Sequence, residues 1–109
     1  MEFEWDHQKA AANVTKHGVD FTEAIGVFDD PHLWTLVDSR IATETRYQAI
    51  GIVDGLILFV VHTFRGKICR IISARRANRR ERANYTLQAR HRPEAGRQDG
   101  LGTPPTDDG

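Results

Sequence analysis

The sequence predicts an α+β fold, with two N-terminal helices packed on a mainly antiparallel sheet of four to five strands and one C-terminal helix. Helical spacing and capping signals fill the first 30 residues, β-branched and aromatic segments follow, and a capping signal returns near residue 78. The 109 residues suffice for one domain. We place it at residues 1–90, and residues 91–109, which lack periodicity, are expected to form a disordered tail.

The chain begins with a short strand, "FEWD", and two predicted helices. Asp6 is suited to cap the first helix, which should end before Gly18, where a left-handed backbone is favourable. Asp20 and Glu23 have the spacing of a capping box, and the apolar residues after them recur at helical spacing until "DDP". We expect the two helices to pack as a pair.

Four antiparallel strands should follow, joined at two places by tight turns. They are predicted at residues 33–37, 43–53, 56–64 and 67–74. Asp54-Gly55 is a strong two-residue hairpin signal, and Arg65-Gly66 is a weaker one.

The two turns predict which residues share a face of the sheet. The first turn puts Ile52 opposite Ile57, and the second puts Arg70 opposite Val61. One face of the sheet is then apolar at one end and polar at the other. A one-residue bulge at the second turn would instead move the side chains of the last strand to the opposite faces. The polar corner, a candidate site, consists of Glu44, Arg46, Gln48, Thr63 and Arg70.

The formal net charge of zero hides a strong segregation of charge. Residues 1–64 contain four Lys or Arg against ten Asp or Glu, whereas residues 65–92 contain ten against one. This pattern indicates a local surface for a polyanion or an acidic partner, rather than a nonspecific DNA coat. The single cysteine, the absence of a long apolar run and the polar N-terminus predict a cytoplasmic protein without membrane spans or a signal peptide.

The block "SARRANRRERANY" contains residues with three different predicted roles. Asn78 and Glu81 have capping-box spacing at the start of the last helix. Arginines 79, 80 and 82 are more readily explained as a solvated helix face than as catalytic groups. Arg75 and Arg76 are expected at a strand-to-helix junction beside the polar corner, where guanidinium groups can clamp a phosphate.

Two arginines, Arg46 and Arg70, interrupt strands that otherwise have the pattern of buried strands. Each either forms an ion pair with a carboxylate, for which Glu44 and Asp38 are candidates, or contacts a substrate phosphate. Cleavage of RNA by its own 2′-hydroxyl needs a base, an acid and cationic stabilisation of the phosphorane. The residue types suited to this chemistry are found at Glu44, Arg46, Arg65, Arg70 and Tyr85.

Other kinds of site are less well supported. The five histidines are scattered without metal-ligand spacing, so no metal site is expected. His62 and Cys69 are expected to be neighbours in the sheet, and core packing explains them better than a thiol nucleophile does. A noncatalytic module that grips nucleic acid or an acidic partner remains the alternative hypothesis.

The phrases "FEWDHQKAAANVTKHGVDFTEAIGVFDDP", "ETRYQAIG", "LFVVHTFRG" and "RIISARRANRRERANY" together resemble the BrnT toxins of bacterial type II toxin-antitoxin modules. The resemblance implies a RelE-like fold and an endoribonuclease that halts translation without metal or cofactor. It also implies a BrnA-type antitoxin with a ribbon-helix-helix part, which forms a heterotetramer with the toxin and binds operator DNA.

The motifs of the resemblance also carry the predicted site residues. The proposed catalytic set is Glu44, Arg46, Arg65, Arg70, Arg75, Arg76 and Tyr85. The proposed RNA-binding set is Lys16, His17, Arg79 and Arg80. Thr43 stands where the family commonly has glycine, so the loop of residues 38–43 departs from the pattern.

Overall fold

The computed structural model describes residues 1–38 and 43–91. The part of the predicted tail after His91, and residues 39–42 of the loop before Thr43, lie outside these ranges. The strands are β1 (Glu2–Glu4), β2 (Trp34–Asp38), β3 (Arg46–Val53), β4 (Leu56–Arg65) and β5 (Ile68–Arg76). The helices are α1 (His7–His17), α2 (Phe21–Ala24), a 3₁₀ helix (Ile25–Asp29) and α3 (Arg79–His91).

The five strands form one mixed sheet in the order β1-β5-β4-β3-β2. Strands β2 to β5 pair with their neighbours in antiparallel fashion, and β1 pairs with β5 in parallel. The predicted α+β class is confirmed. The sheet is not wholly antiparallel, because the N-terminal strand β1 runs parallel to the last strand, β5.

The N-terminal helices begin where the capping signals predict. The Asp6 carboxylate accepts hydrogen bonds from the backbone N–H groups of Gln8 and Lys9, at 2.8 and 3.0 Å, and α1 ends at a left-handed Gly18. Asp20 forms the expected capping box, but α2 makes only one turn before the 3₁₀ helix. This tighter segment packs closely on β3: a Cβ on Gly51 would lie 3.0 Å from that of Val27.

Asn13 is a buried polar residue that joins α1 to the sheet. Its side-chain amide donates to the carbonyls of Val19 (2.9 Å) and Ala74 (2.7 Å) and accepts from the Ala74 N–H (3.2 Å). β1 pairs with β5 only as far as Arg70. Beyond that point, the Asn13 side chain provides the hydrogen-bond partners for backbone groups at the edge of β5.

Substituting Asn13 by alanine should lower the free energy of unfolding by about 2–3 kcal/mol, because buried backbone groups of Ala74 lose their partners. Urea denaturation measures the loss. Thr15→Ala, at an exposed position of the same helix, is the control and should cost less than about 0.5 kcal/mol. Equal losses in the two variants would contradict the assigned role of Asn13.

The first hairpin has the predicted register. Ile52 pairs with Ile57 and Ile50 with Phe59, around a turn in which Asp54 (φ 50°) and Gly55 (φ 82°) both adopt positive φ.

The predicted register of the second hairpin is wrong by two residues. Arg65 pairs with Ile68, so the turn consists of Gly66 and Lys67, and Arg70 pairs with Thr63 rather than with Val61. A shift of two keeps each residue of β5 on its predicted face up to an irregularity at Ile72. That irregularity is a bulge between the pairs made by Val61 and His62, and it lies away from the turn.

The sheet is covered on both faces. One face packs against α1, α2 and the 3₁₀ helix around Phe21, Val27 and Val60, which are fully buried. The other, the α3 face, packs Ile50, Phe59 and Val61 against Tyr85 of α3. Tyr85 contacts the half of this face nearer the first hairpin, so the other half is available for a site.

Candidate functional site

The half of the α3 face that Tyr85 does not contact contains a row of residues from all five strands. Cα pairing places Asp38 beside Arg46, Thr63 beside Arg70, and Arg70 beside Glu4. Because Tyr47 pairs with His62, the next residues along the two strands, Arg46 and Thr63, lie opposite each other. The Thr63 hydroxyl donates a hydrogen bond to the carbonyl of Thr45, the residue before Arg46, at 2.6 Å. We call this set the cross-strand row: Asp38, Arg46, Thr63, Arg70 and Glu4.

Both arginines of the cross-strand row are held by carboxylates. Arg46 contacts Glu44 Oε2 through Nε and NH2, each at 3.1 Å, and Arg70 NH1 lies 3.0 Å from Glu4 Oε2. Glu44 was one of the partners expected for Arg46. For Arg70 the expectation of Glu44 or Asp38 was wrong, because the parallel pairing of β1 brings Glu4 to it.

The cross-strand row is open to solvent at its arginines. The side chains of Arg46 and Arg70 are 26% and 24% exposed, while Thr63 between them is buried. Strands are spaced about 4.8 Å apart, so the two arginine Cα atoms, two strands apart, are separated by about 10 Å. Two long guanidinium side chains at this separation can converge on one phosphate, with the Glu44 carboxylate beside them.

Glu4 belongs to this region, although the sequence did not identify it. Asp6 has its pKa lowered mainly by the hydrogen bond from the Lys9 N–H, with smaller contributions from the Gln8 N–H and from the charges of Lys9 and Arg70. The pairing of β1 with β5 brings Glu4 to Arg70. No local signal predicted this, because it depends on the parallel pairing of β1 with β5.

The other predicted site residues lie at different distances from the cross-strand row. Arg65 is exposed on β4, two residues beyond Thr63, and so shares its face. Lys16 and His17 end α1, one turn beyond the contact of Asn13 with Ala74, at the far part of β5. The described contacts do not bring them to the cross-strand row.

The expected proximity of Arg75 and Arg76 to the polar corner is wrong. They follow Arg70 by five and six residues on a continuous strand, which places them about 16 Å or more away. The guanidinium of Arg75 lies 4.1 Å from the centre of the Phe59 ring and makes two 2.9 Å hydrogen bonds to Glu81. Arg76 is exposed.

The start of α3 is fixed by the predicted capping box. Asn78 Oδ1 accepts from the Glu81 N–H at 2.8 Å, and Glu81 Oε1 accepts from the Asn78 N–H at 2.9 Å. Partial burial raises the pKa of Glu81, but hydrogen bonds from Arg75 and the Asn78 N–H outweigh it, so the pKa lies below its ordinary value. Arg79 and Arg80 are exposed on the first turn.

Tyr85 is buried beneath α3 and makes a hydrogen bond to Asp30. The Asp30 carboxylate also accepts from the backbone N–H groups of His32 and Ile52, both at 2.8 Å. This buried cluster ties α3 to the segment between the 3₁₀ helix and β2, away from the cross-strand row.

His62 and Cys69 lie in the core on the opposite face of the sheet. His62 pairs with Ile71 and stacks on Tyr47, with a ring-centre distance of 5.6 Å, whereas Cys69 pairs with Phe64. Burial raises the pKa of the Cys69 thiol to about 11, so the thiol stays protonated at neutral pH and is a poor nucleophile.

Burial of His62 should make the protein less stable in acid. Desolvation lowers its pKa, the Val60 carbonyl opposes this only in part, and Nδ1 has no well-formed hydrogen bond among the described residues. The unfolded chain takes up a proton near its ordinary pKa of about 6.5 while the folded chain resists it. The free energy of unfolding should therefore decrease as the pH falls below about 6.5.

Denaturation at several pH values from 7.5 to 5 measures this dependence. His62→Phe should flatten the curve below about pH 6.5, because it removes the buried titrating group. Substituting the exposed His7 by glutamine is the control, and it should leave the slope unchanged. A slope unaffected by His62→Phe would assign the acid sensitivity to another group.

The described residues contain neither a cluster of metal ligands nor a helix suited to a membrane. Within residues 1–38 and 43–91, no three His, Cys, Asp or Glu side chains gather as metal ligands. No helix in the same part of the chain has the length and apolar character needed to cross a bilayer.

Comparison with known proteins places the chain in a family. The sequence profile described as "Ribonuclease toxin, BrnT, of type II toxin-antitoxin system" matches residues 5–81. The chain belongs to the BrnT family. A comparison with individually curated proteins found no match. The stretch matched to the BrnT family includes every residue of the cross-strand row except Glu4 and ends before Tyr85.

Proposed function

We propose that this BrnT-family chain is an endoribonuclease of RelE-like fold that cleaves RNA at the cross-strand row without a metal ion. The proposal rests on one observation: Arg46 and Arg70, both partly exposed, lie on either side of the buried Thr63, with the Glu44 carboxylate beside Arg46. Cations that converge on one place beside a carboxylate meet the electrostatic needs of phosphodiester cleavage.

In the proposed reaction, Glu44 removes the proton of an RNA 2′-hydroxyl, whose oxygen attacks the adjacent phosphorus. Arg46 and Arg70 stabilise the negative charge that accumulates on the phosphorane oxygens. The bond from phosphorus to the 5′-oxygen then breaks, and that oxygen takes up a proton through water. The products are a 2′,3′-cyclic phosphate and a 5′-hydroxyl end.

Other predicted site residues have different roles in this proposal. Arg65, at the rim of the same face, holds the RNA backbone beside the cross-strand row. Lys16, His17, Arg79 and Arg80 contact RNA outside the reacting phosphate, where positive charge raises affinity without sequence selection. Arg75 and Tyr85 keep α3 in place through Glu81 and Asp30, since their polar groups are engaged there.

We further propose that a BrnA-type antitoxin neutralises the activity. It would carry a ribbon-helix-helix part, form a heterotetramer with the toxin and bring the complex to operator DNA. Unopposed, the toxin would halt translation in the bacterial cytoplasm by destroying transcripts.

A noncatalytic binding module is the second candidate. It is favoured by the ion pairs of Arg46 and Arg70, because arginines already held by carboxylates can serve to position RNA without reacting with it. Such a module would retain RNA and leave its chain intact.

The chemistry of the RNA ends separates these functions. The protein is added to a bacterial translation reaction, and separately to free single-stranded RNA with EDTA, and fragment ends are mapped. We expect 2′,3′-cyclic phosphate and 5′-hydroxyl ends, and no cut where the attacking 2′-hydroxyl is replaced by hydrogen. Intact RNA in both reactions supports the binding module, and 5′-phosphate ends would refute 2′-hydroxyl attack.

A further inference from the structure

The first hairpin and the start of α3 enclose a second cationic surface. It is a cleft of about 270 Å³ between the tight turn and the end of β5. We call it the arginine cleft, and its lining residues are Gly55, Leu56, Ile57, Arg76, Ala77 and Arg82. Along β4, Leu56 and Thr63 are seven residues apart, so the arginine cleft lies about 23 Å from the cross-strand row.

The two arginines of the arginine cleft differ from the three arginines that carboxylates hold elsewhere in the fold. Arg76 and Arg82 form no ion pair with any residue in the described ranges, whereas Arg46, Arg70 and Arg75 each have a carboxylate. Arg82 uses NH1 to donate to the Ala77 carbonyl at 2.9 Å, which orients the guanidinium and leaves its other donors available. The arginine cleft therefore offers positive charge that the fold itself does not neutralise.

Apolar surface adjoins these charges. Leu56 is 43% exposed, Ile52 on the neighbouring strand is 41% exposed, and Ile57 is half-buried. Exposed aliphatic side chains around paired cationic groups are suited to a partner that provides both a carboxylate and an apolar side chain.

We propose that the arginine cleft docks an acidic segment of the antitoxin, with carboxylates on Arg76 and Arg82 and an apolar side chain against Leu56. The proposal rests on the proposed function, in that it assumes a neutralising antitoxin. A cleft of about 270 Å³ is below the usual range for small-molecule sites, about 300–1,000 Å³, and suits individual side chains.

A protein segment explains this surface better than RNA does. No lining residue of the arginine cleft is aromatic, so bases would find no stacking platform there. A phosphate backbone would leave Leu56 in water, whereas an apolar side chain would bury it. Arginine is also enriched among residues that dominate protein–protein binding energy.

The test measures the affinity of the antitoxin for charge-reversed toxins. Toxin and antitoxin are coexpressed, the complex is purified, and the affinity of the separated antitoxin for each toxin variant is measured by calorimetry. Arg82→Glu should weaken binding at least about thirtyfold, which corresponds to a hot spot of 2 kcal/mol or more.

Two matched controls isolate the arginine cleft. Arg90→Glu makes the same change of charge on α3, eight residues and about 12 Å farther along the helix, and should have little effect. Leu56→Ser should also weaken binding, whereas Val14→Ser, at a similarly exposed aliphatic position on α1, should not. Denaturation curves verify folding, and all four variants should cleave RNA like the wild-type chain.

The outcomes separate this inference from the proposed function. If the wild-type chain binds no antitoxin, the toxin-antitoxin assignment of the proposed function fails, and the inference fails with it. If the wild-type chain binds and Arg82→Glu binds equally well, the inference alone is overturned. If Arg82→Glu keeps the antitoxin but loses affinity for RNA, the arginine cleft is an RNA surface instead.

Discussion

Substituting Arg70 by alanine should slow RNA cleavage by about a hundredfold, because a guanidinium that stabilises developing charge in the transition state contributes on this scale. The fold should survive, since the lost ion pair with the partly exposed Glu4 is worth at most about 1 kcal/mol. Cleavage rates at saturating protein, with denaturation curves beside them, measure both quantities.

Glu4→Ala is the matched control for Arg70→Ala. It breaks the same ion pair but keeps the arginine at its position on β5 opposite Thr63. If Arg70 acts on the phosphate, the Glu4 variant keeps most of its cleavage rate. If the ion pair matters only for structure, the two variants lose activity equally, and the assignment of Arg70 to the transition state is wrong.

Asp30→Ala should have the largest effect on stability, a loss of about 3–5 kcal/mol. The buried carboxylate accepts hydrogen bonds from two backbone N–H groups and from the Tyr85 hydroxyl. Its removal leaves these donors unsatisfied and releases the attachment of α3 to the rest of the fold. Chemical denaturation followed by circular dichroism measures the loss.

Tyr85→Phe separates the contribution of α3 from that of the backbone. It removes one hydrogen bond and keeps the ring between Ile50 and Phe59, so about 1–2 kcal/mol should be lost. Equal losses in the Asp30 and Tyr85 variants would show that the backbone donors contribute little. The same variant tests the catalytic role that the family resemblance implies for Tyr85: a slower cleavage rate in fully folded Tyr85→Phe would restore it.

The accuracy of the sequence interpretation depended on how locally each feature is determined. Asp6 specifies a cap through its side chain, and Gly18 and Asp54 specify a cap and a turn through their backbone preferences, so these elements lie where they were predicted. The parallel pairing of β1 with β5 joins segments more than 60 residues apart, and no periodicity in the sequence indicates it. The bulge near Ile72 likewise belongs to the pairing of β5 with β4, and the sequence predicted no bulge there.

The candidate site shows the same difference between local contacts and contacts that depend on the fold. The contact of Glu44 with Arg46, two residues apart, was within reach of sequence reasoning, and the two lie together. Glu4 reaches Arg70 only through the fold, so it was missed. Arg75 and Arg70 share a motif in sequence, but an extended strand separates them, and adjacency in a motif was a poor guide to adjacency in space.

Cleavage of RNA at the cross-strand row requires RNA to bind there, and nuclear magnetic resonance can locate the bound RNA. A single-stranded RNA with one 2′-deoxy position, which blocks attack there, is titrated into nitrogen-15-labelled protein. The largest backbone chemical-shift changes should occur at Arg46, Thr63 and Arg70. Largest changes at Arg76 and Arg82, with the cross-strand row unperturbed, would contradict it.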